Sequence, residues 1–188
     1  EATALLARIR NVAGIAARCL EFSVLTTSRT SEALLAEWGE FDLENRVWIV
    51  PEKRMKMGEP HTVHLSPHVV GILRGQLGLD TRYVFPSTQK AVDGNSKPMS
   101  NMAMLNVLER LGVWQTTTVH GLCRATFSTW DNETGAARPD VIEAALAHSE
   151  ADKVRRAYNR AAFDQERRAL LVAWSNYLAA PIEVALAA

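Results

Sequence analysis

The tract from Arg46 to Leu65 constrains the fold more than any other part of the chain. Arg46-Val-Trp-Ile-Val50 is β-branched and aromatic and stops at Pro51, which reads as a strand. It is followed by a hairpin pattern, Lys53 to Met57 outward, Gly58-Glu59-Pro60 as the turn, and His61-Thr-Val-His-Leu65 back. Three short antiparallel strands follow from this, and almost everything else is patterned as helix. Residues 1 to 10 open inside a helix, and Ile15, Cys19 and Phe22 stand at helical spacing in the stretch 14 to 28. Ser31 is a plausible cap for residues 31 to 38. Ser66 before Pro67 starts a helix that Gly78 closes, and Ser100 starts one that Gly112 closes. Thr88 to Pro98 is polar and rich in turn formers, hence a loop. Helical segments are expected over roughly 120–133, 139–148 and 151–158, and a last amphipathic helix from about Asp164 to Ala179. The expected class is mainly α with a small antiparallel three-stranded sheet (α+β). Residues 1–180 form one domain and 181–188 a C-terminal tail expected to be flexible.

With 188 residues, 47% hydrophobic and 22% charged, the chain can bury a core without disulfide or metal staples. Cys19 and Cys123 make no CxxC pair, so neither a zinc finger nor a disulfide framework is indicated, and a reducing cytoplasm is the expected setting. Neither a signal peptide nor a run of eighteen apolar residues is visible. The uncapped helical start without methionine suggests a piece of a longer protein. Lys+Arg and Asp+Glu are equal at 21 each, so bulk charge gives no support for nucleic-acid binding, although a local patch remains open.

One stretch is strongly basic. Lys153-Val-Arg-Arg-Ala-Tyr-Asn-Arg160 sets Arg155, Arg156 and Arg160 around Tyr158, with Arg167 and Arg168 further on. A tyrosine of pKa near 10 is a poor nucleophile at neutral pH, and surrounding positive charge favours the phenolate and holds a phosphate before it. The plainer reading is a solvated basic helix face with a tyrosine ring in the core.

Several segments together resemble the catalytic domain of the tyrosine recombinases, the integrases of phages and genomic islands. Leu25-Thr-Thr-Ser-Arg29-Thr-Ser-Glu32 looks like the family's arginine motif. Trp38-Gly-Glu-Phe-Asp42, Trp48-Ile-Val-Pro51 and Arg54-Met-Lys56-Met resemble the strand and hairpin that carry its lysine. Thr118-Val-His120-Gly looks like the start of the histidine–arginine motif. Ala145-Leu-Ala-His148 and then Ala157-Tyr158-Asn-Arg160 resemble its second histidine and its nucleophile. Five such pieces, in order over residues 12 to 178, are specific where each alone is weak.

The second arginine departs from the pattern. Counting three positions from His120, as the family does, gives Cys123; counting back from Phe127 and Trp130 gives Arg124. An extra residue between His120 and Arg124 reconciles the two, on the expectation that a loop before the helix absorbs it. One residue of slip within a helix turns a side chain by about 100°. If Cys123 takes the position instead, the domain lacks a guanidinium and becomes a catalytically impaired DNA-binding relative.

The resemblance implies site-specific DNA recombination, with integration or excision of a prophage or island through a 3′-phosphotyrosine intermediate, and with no metal, ATP or other cofactor. Arg29 and Arg124 would bind the scissile phosphate, Tyr158 attack it, and Lys56 protonate the leaving 5′ oxygen. His120 would assist proton transfer, His148 bond a phosphoryl oxygen, and Glu32 orient a neighbour. Arg155, Arg156 and Arg160 would touch DNA. The partners implied are double-stranded attachment sites and further subunits in a tetramer, the isolated fragment being a monomer. Plainer roles stand beside these: Arg29 capping helix carbonyls, Lys56 a solvated edge charge, His120 a helix cap, and His148 favoured by a helix dipole. His61, His64 and His68 lack a cysteine or carboxylate to complete a tetrahedral metal set. The last helix either folds back on its own core or packs on a neighbouring subunit.

Overall fold

In the computed structural model residues 1–55, 58–148 and 163–180 are described. Lys56, the stretch 149–162 with Arg155, Arg156, Tyr158 and Arg160, and the tail 181–188 therefore lie outside the described residues.

Helices α1 (Ala2–Arg10) and α2 (Ile15–Thr26) lie against one another, and α2 is the centre of the fold. Its residues Ala17, Cys19, Leu20, Phe22, Val24 and Leu25 are all buried, because apolar residues occupy every side of it and neighbours cover each side. The one carboxylate it buries, Glu21, is held by Arg10 and Arg18 at 2.7 and 2.6 Å. Helix α3 (Thr30–Leu34) follows after a sharp turn at Thr27, whose φ of 54° stops α2 in left-handed backbone. It starts one residue earlier than its expected cap Ser31, and Arg29 takes the cap position.

The sheet has three antiparallel strands in the order β1 (Phe41–Asp42), β2 (Val47–Val50), β3 (His61–His64), with Val47 opposite His64 and Val50 opposite His61. The strand count agrees with the sequence reading, but one strand is different. Lys53 and Arg54, where the outward strand Lys53 to Met57 is expected to begin, lie instead in a 3-10 turn, Glu52–Arg54. Pro51 offers no N–H to a ladder, and Arg54 is drawn to the Glu40 carboxylate and the Glu32 carbonyl. The third strand comes from Phe41–Asp42, where Asn45 N–H bonds Asp42 Oδ1 at 2.8 Å to make the turn into β2.

Helix α4 (Pro67–Gln76) is capped by the Ser66 hydroxyl, which accepts from Val69 N–H at 3.3 Å. Helix α5 (Ala103–Arg110) begins three residues after Ser100, with Met102 exposed just before it and Met104 buried on it. Helix α6 joins a π-helical turn, Gly121–Ala125, to an α-helix, Thr126–Thr134. Helix α7 (Pro139–Ala145) ends three residues short of the expected boundary, and α8 (Asp164–Ala179) matches its expected range.

Helix α8 folds back onto its own chain. Leu170, Leu171, Trp174 and Leu178 are buried, and α8 packs on α1, α2, α7 and β3. Trp174 lies among Phe127, Trp130 and Tyr177, and its indole N–H donates to the Val24 carbonyl at 2.9 Å. A second aromatic group, Phe22, Phe41, Trp48 and Phe85, joins α2 to the sheet. Among the described residues, no helix is long and apolar enough to cross a membrane.

Because Trp174 ties the last helix to α2 and α6, Trp174→Ala should cost about 3–5 kcal/mol, the usual loss for a fully buried large aromatic, read as a lower urea midpoint.

Candidate active site

The α2–α3 corner positions the first arginine. Glu32, three residues after Arg29, reaches back: its Oε2 accepts from the Arg29 backbone N–H at 2.9 Å and its Oε1 from the guanidinium Nη1 at 2.7 Å. The Glu32 carboxylate is buried, so this pairing satisfies it and fixes the direction of the Arg29 side chain. Arg29 then donates from Nη2 to the Ala147 carbonyl at 3.1 Å.

The second arginine comes from α6. Thr118 caps the start of that helix, its hydroxyl accepting from Gly121 N–H at 2.9 Å. The next turn is wide: Thr126 N–H bonds the carbonyl of Gly121, five residues back, and the Thr126 hydroxyl donates to the same oxygen at 3.1 Å. One surplus residue is thus taken up inside the helix as a π turn, where the sequence reading expected a loop to absorb it. Both residues in contention are then accommodated. Cys123 is buried, its thiol pushed up to about 12 by burial. Arg124, only 5% exposed, donates to the Thr27 carbonyl at 2.8 Å and to the Leu146 carbonyl at 2.6 Å.

Leu146 and Ala147 are consecutive residues in the turn that ends α7. Ala147 sits at φ 47°, its N–H bonds the Ala144 carbonyl, and His148 N–H bonds the Glu143 carbonyl at 2.9 Å. This is a Schellman closure with alanine at the left-handed position that glycine usually fills. The two guanidinium groups therefore converge on neighbouring carbonyls, about 4 Å apart along the chain. Burial, and next the Arg29 charge, push Arg124 down to about 10, which leaves it protonated at neutral pH. Each guanidinium has five N–H groups, and the bonds named here use two from each side chain.

His148 follows directly, exposed, with Nδ1 2.9 Å from Glu143 Oε2. His120 is exposed on the first turn of α6, one wide turn before Arg124. Of the residues expected to form the site, the structure brings together Arg29, Glu32, Arg124 and the backbone that leads to His148.

Residues not singled out for the site also gather here. His61, the first residue of β3, places Nε2 3.3 Å from the Ala145 carbonyl. His64 Nε2 lies 3.0 Å from Asp164 Oδ1, and His68 Nδ1 lies 3.1 Å from Ser175 Oγ, so the three histidines go to three different partners. Arg167, 6% exposed, donates to the Thr62 carbonyl at 2.9 Å. Its signal was present in the sequence: positions 167, 171, 174 and 178 make one helical stripe, and Arg167 is the charged member of it.

A helical domain with a small sheet, carrying two arginines that converge beside a histidine, is the architecture of a tyrosine recombinase catalytic domain, and the chain belongs to the phage integrase family, whose profile matches residues 1–165. Prophage integrase IntA of Escherichia coli (strain K12) is 39% identical over 166 residues, which is 87% of this chain and 39% of that protein. The integrase of Enterobacteria phage P4 is 33% identical over 175 residues, covering 85% of this chain and 39% of its own. The chain thus spans about two-fifths of the length of these curated relatives. Among solved structures, the integrase from mycobacterium phage Brujita superposes with a TM-score of 0.67 at 16% identity, over 90% of this chain and 55% of that one, a likeness of fold.

Two outcomes follow from the α7 turn. Ala147→Gly should stabilise the fold by about 1 kcal/mol, read as a higher urea midpoint, since glycine carries no Cβ penalty at positive φ. His61 should make stability fall in acid. Burial, and next the Arg167 charge, lower it from the ordinary 6.5 to about 4. Between these values the unfolded chain binds a proton that the folded chain does not, so this contribution is constant above about pH 6.5 and is lost as pH falls toward 4. The ring is half-buried, and partial solvation leaves about 1–2 kcal/mol of the effect. Urea titrations at several pH values should show His61→Gln losing less stability than wild type over that window.

Proposed function

We propose that this chain is the strand-exchange domain of a site-specific DNA recombinase that integrates or excises a prophage or genomic island. The observation that carries the reading is the convergence of Arg29 and Arg124 on adjacent carbonyls, in the turn that leads to His148. Cleaving a phosphodiester without a metal requires fixed cations around the phosphoryl oxygens as charge moves toward the leaving oxygen. Guanidinium forks suit this because they donate pairs of hydrogen bonds and stay charged.

In the proposed reaction Arg29 and Arg124 turn their remaining N–H groups to the scissile phosphate, and Glu32 keeps Arg29 in place. Tyr158 Oη attacks phosphorus; a P–O bond to tyrosine forms and the P–O5′ bond breaks. Lys56 gives its proton to the leaving 5′ oxygen, His120 assists removal of the tyrosine proton, and His148 bonds a phosphoryl oxygen. The bond energy is kept in the 3′-phosphotyrosine, so rejoining to another 5′ hydroxyl needs no ATP. Arg155, Arg156 and Arg160 contact the DNA backbone, and double-stranded attachment sites held by a tetramer in the cytoplasm are the substrate. With Arg124 directed to the α7 turn and Cys123 in the core, the reading as an impaired DNA-binding relative loses the feature that motivated it.

The test uses the natural full-length protein and a duplex carrying the end sequence of the element that encodes it. Tyr158→Phe should abolish covalent capture while DNA affinity stays unchanged, and Arg124→Ala should slow capture by about 10²–10³ or more. Capture that survives in Tyr158→Phe removes Tyr158 from its role.

A further inference from the structure

Strand β3 touches both flanks of the segment that contains Tyr158. Upstream of that segment is the end of α7, where the Ala145 carbonyl faces His61 Nε2 at 3.3 Å. Downstream is the start of α8, entered through Phe163 in left-handed backbone at φ 41°. There Arg167 donates to the Thr62 carbonyl at 2.9 Å, Asp164 Oδ1 lies 3.7 Å from Arg167 Nη2, and the same oxygen lies 3.0 Å from His64 Nε2. Residues 149–162 are the chain between these two flanks. The other end of β3 matters equally: His61 directly ends the connection from β2 in which Lys56 lies.

Arg167 has no simple packing reason to be where it is. It lies on the apolar stripe of α8 with Leu171, Trp174 and Leu178, where leucine or methionine would fill the space without the cost of burying a charge. Its bond to Thr62 ties the helix to the strand's backbone, and its charge is felt by His61, one residue away along β3. His61 on β3 and Arg167 on α8 thus meet at neighbouring positions of one strand, His61 facing the upstream flank of the segment and Arg167 belonging to the downstream one.

We propose that Arg167 and His61 are positioning residues for strand cleavage: through β3 they hold both flanks of the Tyr158 segment at a fixed place relative to the connection that carries Lys56. This rests on the reading of Tyr158 as nucleophile and Lys56 as acid. In-line attack needs both groups placed against one phosphate at once, and misplacement by about 1 Å can cost a hundredfold in rate. A common strand that locates both sides is a physical means to that end.

The experiment measures single-turnover covalent capture at saturating DNA, together with DNA affinity and the urea midpoint, in the natural full-length protein on the duplex named above. Arg167→Met should slow capture about tenfold or more with affinity unchanged within about twofold, and Arg167→Lys, which keeps a donor for Thr62, should recover most of the rate. His61→Gln should slow capture similarly. The double variant Arg167→Met with His61→Gln should be little slower than either alone, because both act on the same segment. Folded single variants that capture at the wild-type rate overturn the proposal, as do losses in the double variant that multiply. If Arg167→Met does not fold, His61→Gln alone decides: wild-type capture by it overturns the proposal. Tyr158→Phe run in parallel separates the two levels. Loss of capture there with normal capture in the flank variants defeats only the positioning role, whereas capture surviving in Tyr158→Phe defeats the nucleophile reading and this inference with it.

Discussion

Two guanidinium groups bonded to consecutive carbonyls impose most of what surrounds them. Like charges brought this close repel, and Arg124 is buried besides, so the arrangement persists only because each cation is satisfied from several directions. Among the described residues Glu32 supplies the one full negative charge bonded to the pair, at Arg29, and Thr27, Leu146 and Ala147 supply backbone dipoles. Two of these carbonyls belong to residues with positive φ, Thr27 and Ala147, where a non-glycine backbone is under strain. Strain at those two corners and the convergence of the arginines belong to one compromise. The rest of the fold serves it: α2 runs through the core to deliver Thr27, and α6 and α7 pack so that Arg124 meets the closing turn.

The sequence was informative where side-chain pattern decides the outcome and silent where backbone does. Ser66-Pro67 announced α4, the stripe Leu170, Leu171, Trp174, Leu178 announced α8, and Val-Trp-Ile-Val announced β2, since caps, helical periodicity and β-branched runs are local signals. Phe41–Asp42 is too short to show alternation, and the run after Pro51 imitated a strand until Arg54 was drawn away by Glu40 and Glu32. Arg29, Glu32 and Arg124 were legible through resemblance to a family. Their acceptors were not, because every residue has a carbonyl and nothing in Leu146 or Ala147 marks theirs. In the sequence Arg167 reads as part of a basic face and His61 as a fragment of a metal set, because neither pattern carries a sign of its backbone partner.

The balanced charge of the chain also acquires a physical meaning. Glu21, Glu32 and Glu40 are shielded from solvent and paired with Arg18, Arg29 and Arg54, whereas acids such as Glu44, Glu52 and Glu133 are exposed. Net charge is then a poor guide to what the surface offers a polyanion, and the sequence from Lys153 to Arg160 concentrates positive charge around Tyr158.

The wide turn at Gly121–Ala125 bears on how such a signature is counted. A fixed count of three residues from His120 falls on Cys123 in the core, although it is Arg124 that reaches the α7 turn. The quantity that the site needs is an angle around the helix axis, and a helix can reach the same angle with one residue more by loosening a single turn. Gap lengths in a helical signature are therefore tolerances, set by how far one turn of the helix can widen.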